Sequence, residues 1–316
     1  MDAVLERCAG LDVHQETVVA CVLFGPLEQK PVSELRTFGT TTEELLDLAD
    51  WLEERQCTHV AMESTGVYWK PVWNLLESYP FELLLANAHH IKNVPGRKTD
   101  IKDAEWIAKL LRSGLIEGSF VPPTAMRDLR DLTRYRKKLI QNATAEKNRM
   151  HKILQDANIK LSSYISDLFG VSGRNILQMI INGEVITISL LEQCLKGSLK
   201  TKARKLAQGL NGRLRPHHRQ MLGFSWEHLM FLEKAVREID AKMNEQLQPY
   251  REEIELIRTV PGIDQTSAAA ILAEIGPDMS QFPSAGHLAA WAGVSPGNNE
   301  SAGKKNEPEP DRGTIG

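Results

Sequence analysis

Four carboxylates stand where carboxylates need a reason. Asp12 lies inside an apolar, strand-like run, Gly10-Leu11-Asp12-Val13, although acids are depleted in strands. Glu63 follows Val60-Ala61-Met62 and precedes Ser64-Thr65-Gly66, where a buried strand empties into a glycine turn. Asp100 and Asp103 belong to Lys98-Thr99-Asp100-Ile101-Lys102-Asp103-Ala104, and a separation of three puts both on one face of a helix. Each alone has a plain explanation: a strand-end turn for Asp12, and a helix N-terminus capped by Thr99 or Asp100, where the dipole favours acids. Together they form an all-oxygen ligand set, which selects Mg2+ or Mn2+ over zinc. Two such ions about 4 Å apart clamp the attacking and leaving oxygens of a phosphodiester. Lys92, Arg97, Lys98 and Lys102 adjoin the set in sequence, a mixture that suits a phosphate-bearing substrate.

A second chemical signal is cationic. Thr124 to Lys152 holds Arg127, Arg130, Arg134, Arg136, Lys137, Lys138, Lys147, Arg149 and Lys152 against Asp128, Asp131 and Glu146, nine minus three, or +6 in a chain of net charge -3. A solvated helix face is the usual source of a charge run. The imbalance, with Tyr135, Asn142 and Asn148 interleaved, favours a phosphate backbone as partner.

The elements that must position these groups fall into three stretches. Cys8 to Val13 and Thr17 to Phe24 read as strands around a polar turn at His14-Gln15-Glu16, and Val32 to Phe38 as a third. A helix capped by Thr41 or Thr42 carries Leu45, Leu46, Leu48, Ala49 and Leu52. Thr58 to Met62 and Phe81 to Ala86 are short buried strands on either side of a helical Tyr68 to Leu76. The order β-β-β-α-β-α-β-α predicts a hairpin-led mixed sheet with helices packed on it. From Thr124 the texture changes. Leu129, Leu132, Leu139, Ala143, Met150 and Leu154 recur as on one helical face, and no proline or glycine intervenes from Ala125 to Ser166, which predicts one long helix or a pair. A second amphipathic stretch runs from Trp226 to Arg258, broken by Pro249. Residues from about 160 to 225 are polar and helix-leaning, without a finer pattern. Leu256 onward predicts a helix, a Pro261-Gly262 turn and a small-residue helix that stops at Gly276. The expected boundaries are 1–123, 124–250 and 251–316.

Composition narrows the class. With 316 residues, 42% hydrophobic and 25% charged, the chain has the makeup of a globular protein of two or three domains. No uncharged apolar run approaches the ~20 residues of a membrane helix. The acidic start, Met1-Asp2-Ala3-Val4-Leu5-Glu6, is the opposite of a signal peptide. Four scattered cysteines (Cys8, Cys21, Cys57, Cys194) offer neither a zinc site nor a disulfide framework and fit buried thiols in a reducing compartment.

The motifs resemble a known family. Gly10-Leu11-Asp12-Val13-His14, Glu63-Ser64-Thr65-Gly66 and Lys98-Thr99-Asp100-x-x-Asp103-Ala104 are similar to the RuvC-like DEDD domain of the bacterial insertion-sequence transposases numbered one hundred and ten. Val260-Pro261-Gly262-Ile263, Ala273-Glu274-Ile275-Gly276, Phe282-Pro283-Ser284-Ala285 and Ala289-Ala290-Trp291-Ala292-Gly293-Val294-Ser295-Pro296 resemble that family's second domain. The resemblance implies an α/β ribonuclease-H-like (RuvC-like) domain, then a long-helix or coiled-coil region, then an all-α helix-hairpin-helix-like transposase domain. It implies DNA recombination in a bacterial cytoplasm, with Asp12, Glu63, Asp100 and Asp103 as metal-binding catalytic groups and a serine nucleophile in the second domain. Ser301, in Glu300-Ser301-Ala302-Gly303-Lys304-Lys305, matches that serine, while Ser295 falls within the Gly-x-x-Pro turn. It further implies donor and target DNA, a structured bridge RNA as guide, and a homo-oligomer, dimer or tetramer. Arg97, Lys98, Lys102 and the nine basic residues between Arg127 and Lys152 are the expected nucleic-acid contacts.

Three other readings compete: a junction-type nuclease using the carboxylates without Ser301, a degenerate remnant that binds nucleic acid, and an ATP-using kinase or ATPase of the same sheet architecture. The ending departs from the family. Where a basic stretch and further helix are usual, the chain reads Lys305-Asn306-Glu307-Pro308-Glu309-Pro310-Asp311 through Gly316. This acidic, proline-broken tail is expected to mark a truncation or frame change and to leave recombination poor, because like charge repels an incoming phosphodiester and proline bars a regular helix.

Overall fold

The computed structural model describes residues 2–64, 66–87, 91 and 103–294, together with the backbone of 300–301 and 304–305. Asp100, Arg97, Lys98, Lys102, Lys92, Ser295 and the tail beyond 305 lie outside the described residues. The chain divides into two compact units, Met1–Val121 and Pro122–Gly316.

The first unit is a six-stranded mixed sheet. Its strands are β1 (Arg7–Val13), β2 (Thr17–Phe24), β3 (Val32–Gly39), β4 (His59–Glu63), β5 (Glu82–Ala86) and the short β6 (Gly118–Ser119). Their spatial order is β3-β2-β1-β4-β5-β6. β1 is antiparallel to β2 and parallel to β4, and β4 is parallel to β5. The predicted hairpin-led order is therefore observed, with β6 added antiparallel at the edge; two residues are too few to show alternation in a sequence.

Alternation sorts each strand's side chains between two cores. Ala9, Leu11 and Val13 of β1, with Val60 and Met62 of β4, join helices α1 (Thr42–Glu54) and α2 (Trp69–Leu76) in one buried cluster. Cys8 and Ala61 face the other way, onto α3 (Asp103–Arg112). Thr41 starts α1 as a full capping box with Glu44. Cys8, Cys21 and Cys57 are buried free thiols, whereas Cys194, expected to be buried as well, is half-buried.

The second unit is built on two long helices, α4 (Thr124–Asp156) and α8 (Pro216–Gln246). Between them run α5 (Val171–Asn182), α6 (Ile188–Cys194) and α7 (Ala203–Gly209), and after them α9 (Arg251–Arg258), α10 (Gln265–Ile275) and α11 (Ala285–Trp291). Leu139, Ala143, Met150 and Leu154 of α4 bury against Leu222, Leu229 and Leu232 of α8 and against Ile176, Leu177 and Ile180 of α5. Met126 and Leu129 of α4 form a second cluster with Met243, Ile254, Ala268, Ala269, Leu272 and Ala273.

Two expected boundaries move, each for a local reason. α4 is a single helix and stops at Asp156, well before the stretch free of glycine and proline ends. Asn158 takes a left-handed conformation, φ 54°, and Ile159 N–H turns back to the Leu154 carbonyl; asparagine is the residue besides glycine that tolerates this helix stop. α8 begins at Pro216, ten residues before Trp226, because proline fits the first helical position, where no N–H is needed. The C-terminal part carries helices α9 to α11, and in addition a two-residue hairpin, β7 (Glu300–Ser301) with β8 (Lys304–Lys305), which the all-α expectation did not contain. No helix among the described residues is long and apolar enough to cross a membrane.

Candidate functional site

Asp12 and Glu63 are brought side by side by strand register. β1 and β4 run parallel, with Gly10 opposite Ala61 and Leu11 opposite Met62. One residue on, at the carboxyl ends of both strands, stand Asp12 and Glu63. Neighbouring strands lie roughly 4.8 Å apart, so the two carboxylates are near neighbours on the face that carries α3.

Asp103 reaches the same place through a glycine. Gly10 shares a face with Asp12, and a Cβ built there would lie 2.3 Å from the Ala108 amide nitrogen and 2.4 Å from the Ala104 carbonyl oxygen. Only a residue without a side chain lets α3 lie this close to β1. That approach carries the first residue of α3, Asp103, to the strand ends. Asp12 feels the result: burial raises its pKa above the usual aspartate range, His14 opposes this, and the charges of Asp103 and Glu63 push it up further. Asp103 and Glu63 therefore both act on Asp12. Asp100 lies outside the described residues, as do Arg97, Lys98 and Lys102.

His14 is the residue that motif reading passed over. Its Nε2 is 3.2 Å from Asp12 Oδ2, and its ring is largely exposed. The signal was present: in Asp12-Val13-His14 a spacing of two returns both side chains to one side of an extended chain. Gln15 and Tyr68 close the rim, the Tyr68 hydroxyl donating to Gln15 Oε1 at 3.4 Å and Thr40 Oγ1 to the Gln15 carbonyl at 3.0 Å.

The donor set is carboxylate oxygen throughout, which suits a hard divalent cation. The charge suits one too, because a cation lowers the free energy of like-charged carboxylates held together. No group of three or more His, Cys, Asp and Glu side chains among the described residues is drawn into metal-holding geometry.

The basic face of α4 is more occupied than its sequence suggests. Arg130 donates to the Ala273 and Glu274 carbonyls and pairs with the Glu274 carboxylate at 3.0 Å. Arg134 takes the other oxygen of Glu274 at 2.9 Å, and Arg136 pairs with Asp240 of α8. Lys147 sits 3.6 Å from Glu233, Arg149 3.3 Å from Glu146, and Arg127 donates to the Pro122 carbonyl. Lys137, Lys138 and Lys152 are exposed. Burial pulls the Arg130 guanidinium below its ordinary range, and Glu274 opposes that shift. The backbone of Ser301 pairs with Lys304 across the small β7–β8 hairpin.

Comparison with known proteins gives two family matches. Residues 9–159 match the DEDD model of the IS110 type, described as Transposase, and residues 254–314 match a model described as Transposase IS116/IS110/IS902 family. The two stretches together span about two thirds of the chain, in the same order as the two sets of motifs. A mixed α/β sheet followed by helices is consistent with a ribonuclease-H-like DEDD transposase. No curated protein matches the chain.

Proposed function

This chain belongs to the IS110 family of transposases, and from that premise we propose that it is a metal- and serine-dependent DNA recombinase that exchanges strands between donor and target DNA under the direction of a structured bridge RNA. The observation that carries the reading is the convergence of Asp12, Glu63 and Asp103 at one end of the sheet, where Asp103 and Glu63 both disturb the ionisation of Asp12.

Asp12, Glu63, Asp103 and, from the preceding segment, Asp100 would hold divalent cations of the Mg2+ or Mn2+ class. When bound, these ions supply charge stabilisation at the scissile phosphate and at the leaving oxygen. His14 orients the Asp12 carboxylate through its 3.2 Å contact. Ser301 is the nucleophile. Its oxygen bonds to phosphorus and its proton passes to solvent or a neighbouring base. The bond from phosphorus to one deoxyribose oxygen breaks, and that oxygen leaves as a hydroxyl once protonated. One phosphoester replaces another, so a second hydroxyl can reverse the step and join a new strand without outside energy.

Arg97, Lys98, Lys102 and the exposed Lys137, Lys138 and Lys152 are proposed nucleic-acid contacts, and the protein is proposed to act as a homo-oligomer, because two DNA partners must be held at once. We retain 1–123, 124–250 and 251–316 as functional divisions: carboxylate domain, helical region and serine domain.

The test is a recombination assay with donor, target and guide, run beside a strand-cleavage assay. Asp12→Asn is expected to abolish both while DNA binding survives, and Ser301→Ala to abolish covalent protein–DNA linkage and recombination. Retained cleavage in Ser301→Ala with unaltered Mg2+ dependence would replace this reading by a metal-only junction nuclease.

A further inference from the structure

Residues 160–253 lie between the two family matches, and they contain the most one-sided charge in the chain. From Gln193 to Trp226 there are eight lysines and arginines, Lys196, Lys200, Lys202, Arg204, Lys205, Arg213, Arg215 and Arg219, plus His217 and His218, and no aspartate or glutamate. The first seven cations are exposed. Among the described residues, no carboxylate pairs with any of the first six. Asp156 is the one acid engaged here, 2.8 Å from His218 Nε2 and 3.6 Å from Arg215.

The backbone that displays these side chains is pinned. The Lys160 N–H donates to the Gly209 carbonyl at 2.8 Å, and the Arg213 N–H to the Ala157 carbonyl at 2.8 Å. A Cβ at Gly209 would lie 2.6 Å from the Tyr164 ring, and one at Gly212 2.4 Å from the Ala157 carbonyl oxygen. Ala203, Leu206 and Gly209 turn the inner side of α7 into the core, which leaves Arg204, Lys205 and the preceding lysines outward. A fixed scaffold therefore presents unpaired cations, the arrangement that releases counterions from a phosphate backbone with little ordering cost.

We propose that this surface, centred on Lys200, Lys202, Arg204 and Lys205 and continued by Arg213 and Arg215, is a docking site for the backbone of duplex DNA. Charge complementarity selects a polyanion. Between Lys196 and Arg219 there is no tryptophan, tyrosine or phenylalanine, so the segment itself offers unpaired bases little aromatic surface beside its many point charges. Lysines predominate over the first five cations, and they act as point charges toward phosphate instead of reading base edges. The inference rests on the reading of the chain as a DNA-acting enzyme and adds a surface that neither match covers. It predicts sequence-independent grip on DNA away from the reacting phosphate.

The experiment measures affinity of the full chain for a labelled 30-base-pair duplex of arbitrary sequence across a salt series, with an RNA stem and a single strand of equal length as parallel arms. The variant is Lys200→Gln, Lys202→Gln, Arg204→Gln and Lys205→Gln together. Its affinity for duplex DNA at about 0.1 M salt is expected to fall at least about a hundredfold, and the slope of log affinity against log salt to flatten by roughly 3 to 4, at about 0.9 per lost contact. A charge-conserving variant, Lys200→Arg, Lys202→Arg and Lys205→Arg, is expected to keep the slope. Matching thermal unfolding of both variants and the parent separates a lost contact from a lost fold. An unchanged duplex slope, or a loss confined to the RNA stem or the single strand, overturns the proposal. Failure here is distinct from failure of the enzymatic reading, because Asp12→Asn is expected to lose cleavage with its DNA salt slope intact.

Discussion

The two basic regions of the second unit look alike in sequence and differ in what holds their charge. Along α4, Arg130 and Arg134 share Glu274, Arg136 has Asp240, Lys147 has Glu233 and Arg149 has Glu146. Four of those five cations answer carboxylates more than 80 residues away in the chain, so the sequence window that counts +6 omits the acids that cancel it. From Lys196 to Arg213 no such acids arrive among the described residues. The lesson is that a local charge excess says little until distant partners are counted. Cations with fixed internal partners build the bundle, whereas cations without them remain available to a ligand. The carboxylates of the first unit show a third arrangement: burial raises the pKa of Asp12, His14 opposes the shift, and the like charges of Asp103 and Glu63 add to it.

The sharpest break in this comparison would come from unseating the exposed cations without touching their charge. Gly212→Val places side-chain atoms where the Ala157 carbonyl already stands. It is expected to cost about 3 kcal/mol by overpacking, measured by chemical denaturation, and to weaken DNA binding as the segment detaches. A cost below about 1 kcal/mol would show that the segment is not pinned.

Next in size is Glu274→Gln, which leaves Arg130 and Arg134 without their anion. These groups are partly exposed, so the expected loss is about 1–2 kcal/mol, less than for a fully buried pair. The DNA salt slope should stay as it is. A flattened slope would mean that the paired arginines also serve the ligand.

A smaller effect is expected at Asp12, with a sign set by its raised pKa. The folded state holds this proton more firmly than the unfolded chain, so stability rises as pH falls from the folded pKa to the unfolded one, near 4. At pH 7 the ionised group is therefore a cost. Asp12→Asn should raise Tm at pH 7 in chelator by about 1–2 °C, an advantage that vanishes below about pH 4. A lowered Tm at pH 7 would show that Asp12 is stabilised by His14 more than it is strained by its neighbours.

The smallest change in stability, within about 0.5 kcal/mol, is expected for Lys137→Gln, Lys138→Gln and Lys152→Gln together. Their combined effect on the DNA salt slope should fall short of that of the Lys200 to Lys205 set. If it exceeds that effect, α4 is the principal grip and the comparison reverses.

Legibility followed the range of the interactions. The strand order of the first unit could be read because alternation and turn residues are local. Asp12 and Glu63 could be paired as candidates because one interrupts an apolar run and the other ends one, and parallel register then brings them together. Gly10 could not be read as the reason Asp103 arrives, since that depends on α3 returning to β1 about 95 residues later. The stop at Asn158 was hidden because asparagine enters the left-handed region without announcing itself as glycine does. The cations from Lys196 to Arg219 were plain in the sequence, but with no periodic apolar face around them they carried no structural context. Along α4 the acids that meet Arg130, Arg134, Arg136 and Lys147 lie far away in the chain, so the local count could not show them.

The two hydrogen bonds that join Lys160 to Gly209 and Arg213 to Ala157 also bear on how this protein can change over generations. They fasten the ends of an excursion that leaves α4 and returns to α8, so its length is a closure problem. Closure entropy grows only with the logarithm of loop length, and even a doubling adds roughly 0.6 kcal/mol. Residues inserted in the exposed Glu184–Val185 turn would lengthen the excursion while its fastened ends, and the α4–α8 core beneath, remained in register. Lineages could therefore gain, lose or respace cations there in small steps, drifting in how tightly they hold DNA while the carboxylate chemistry stays under separate selection.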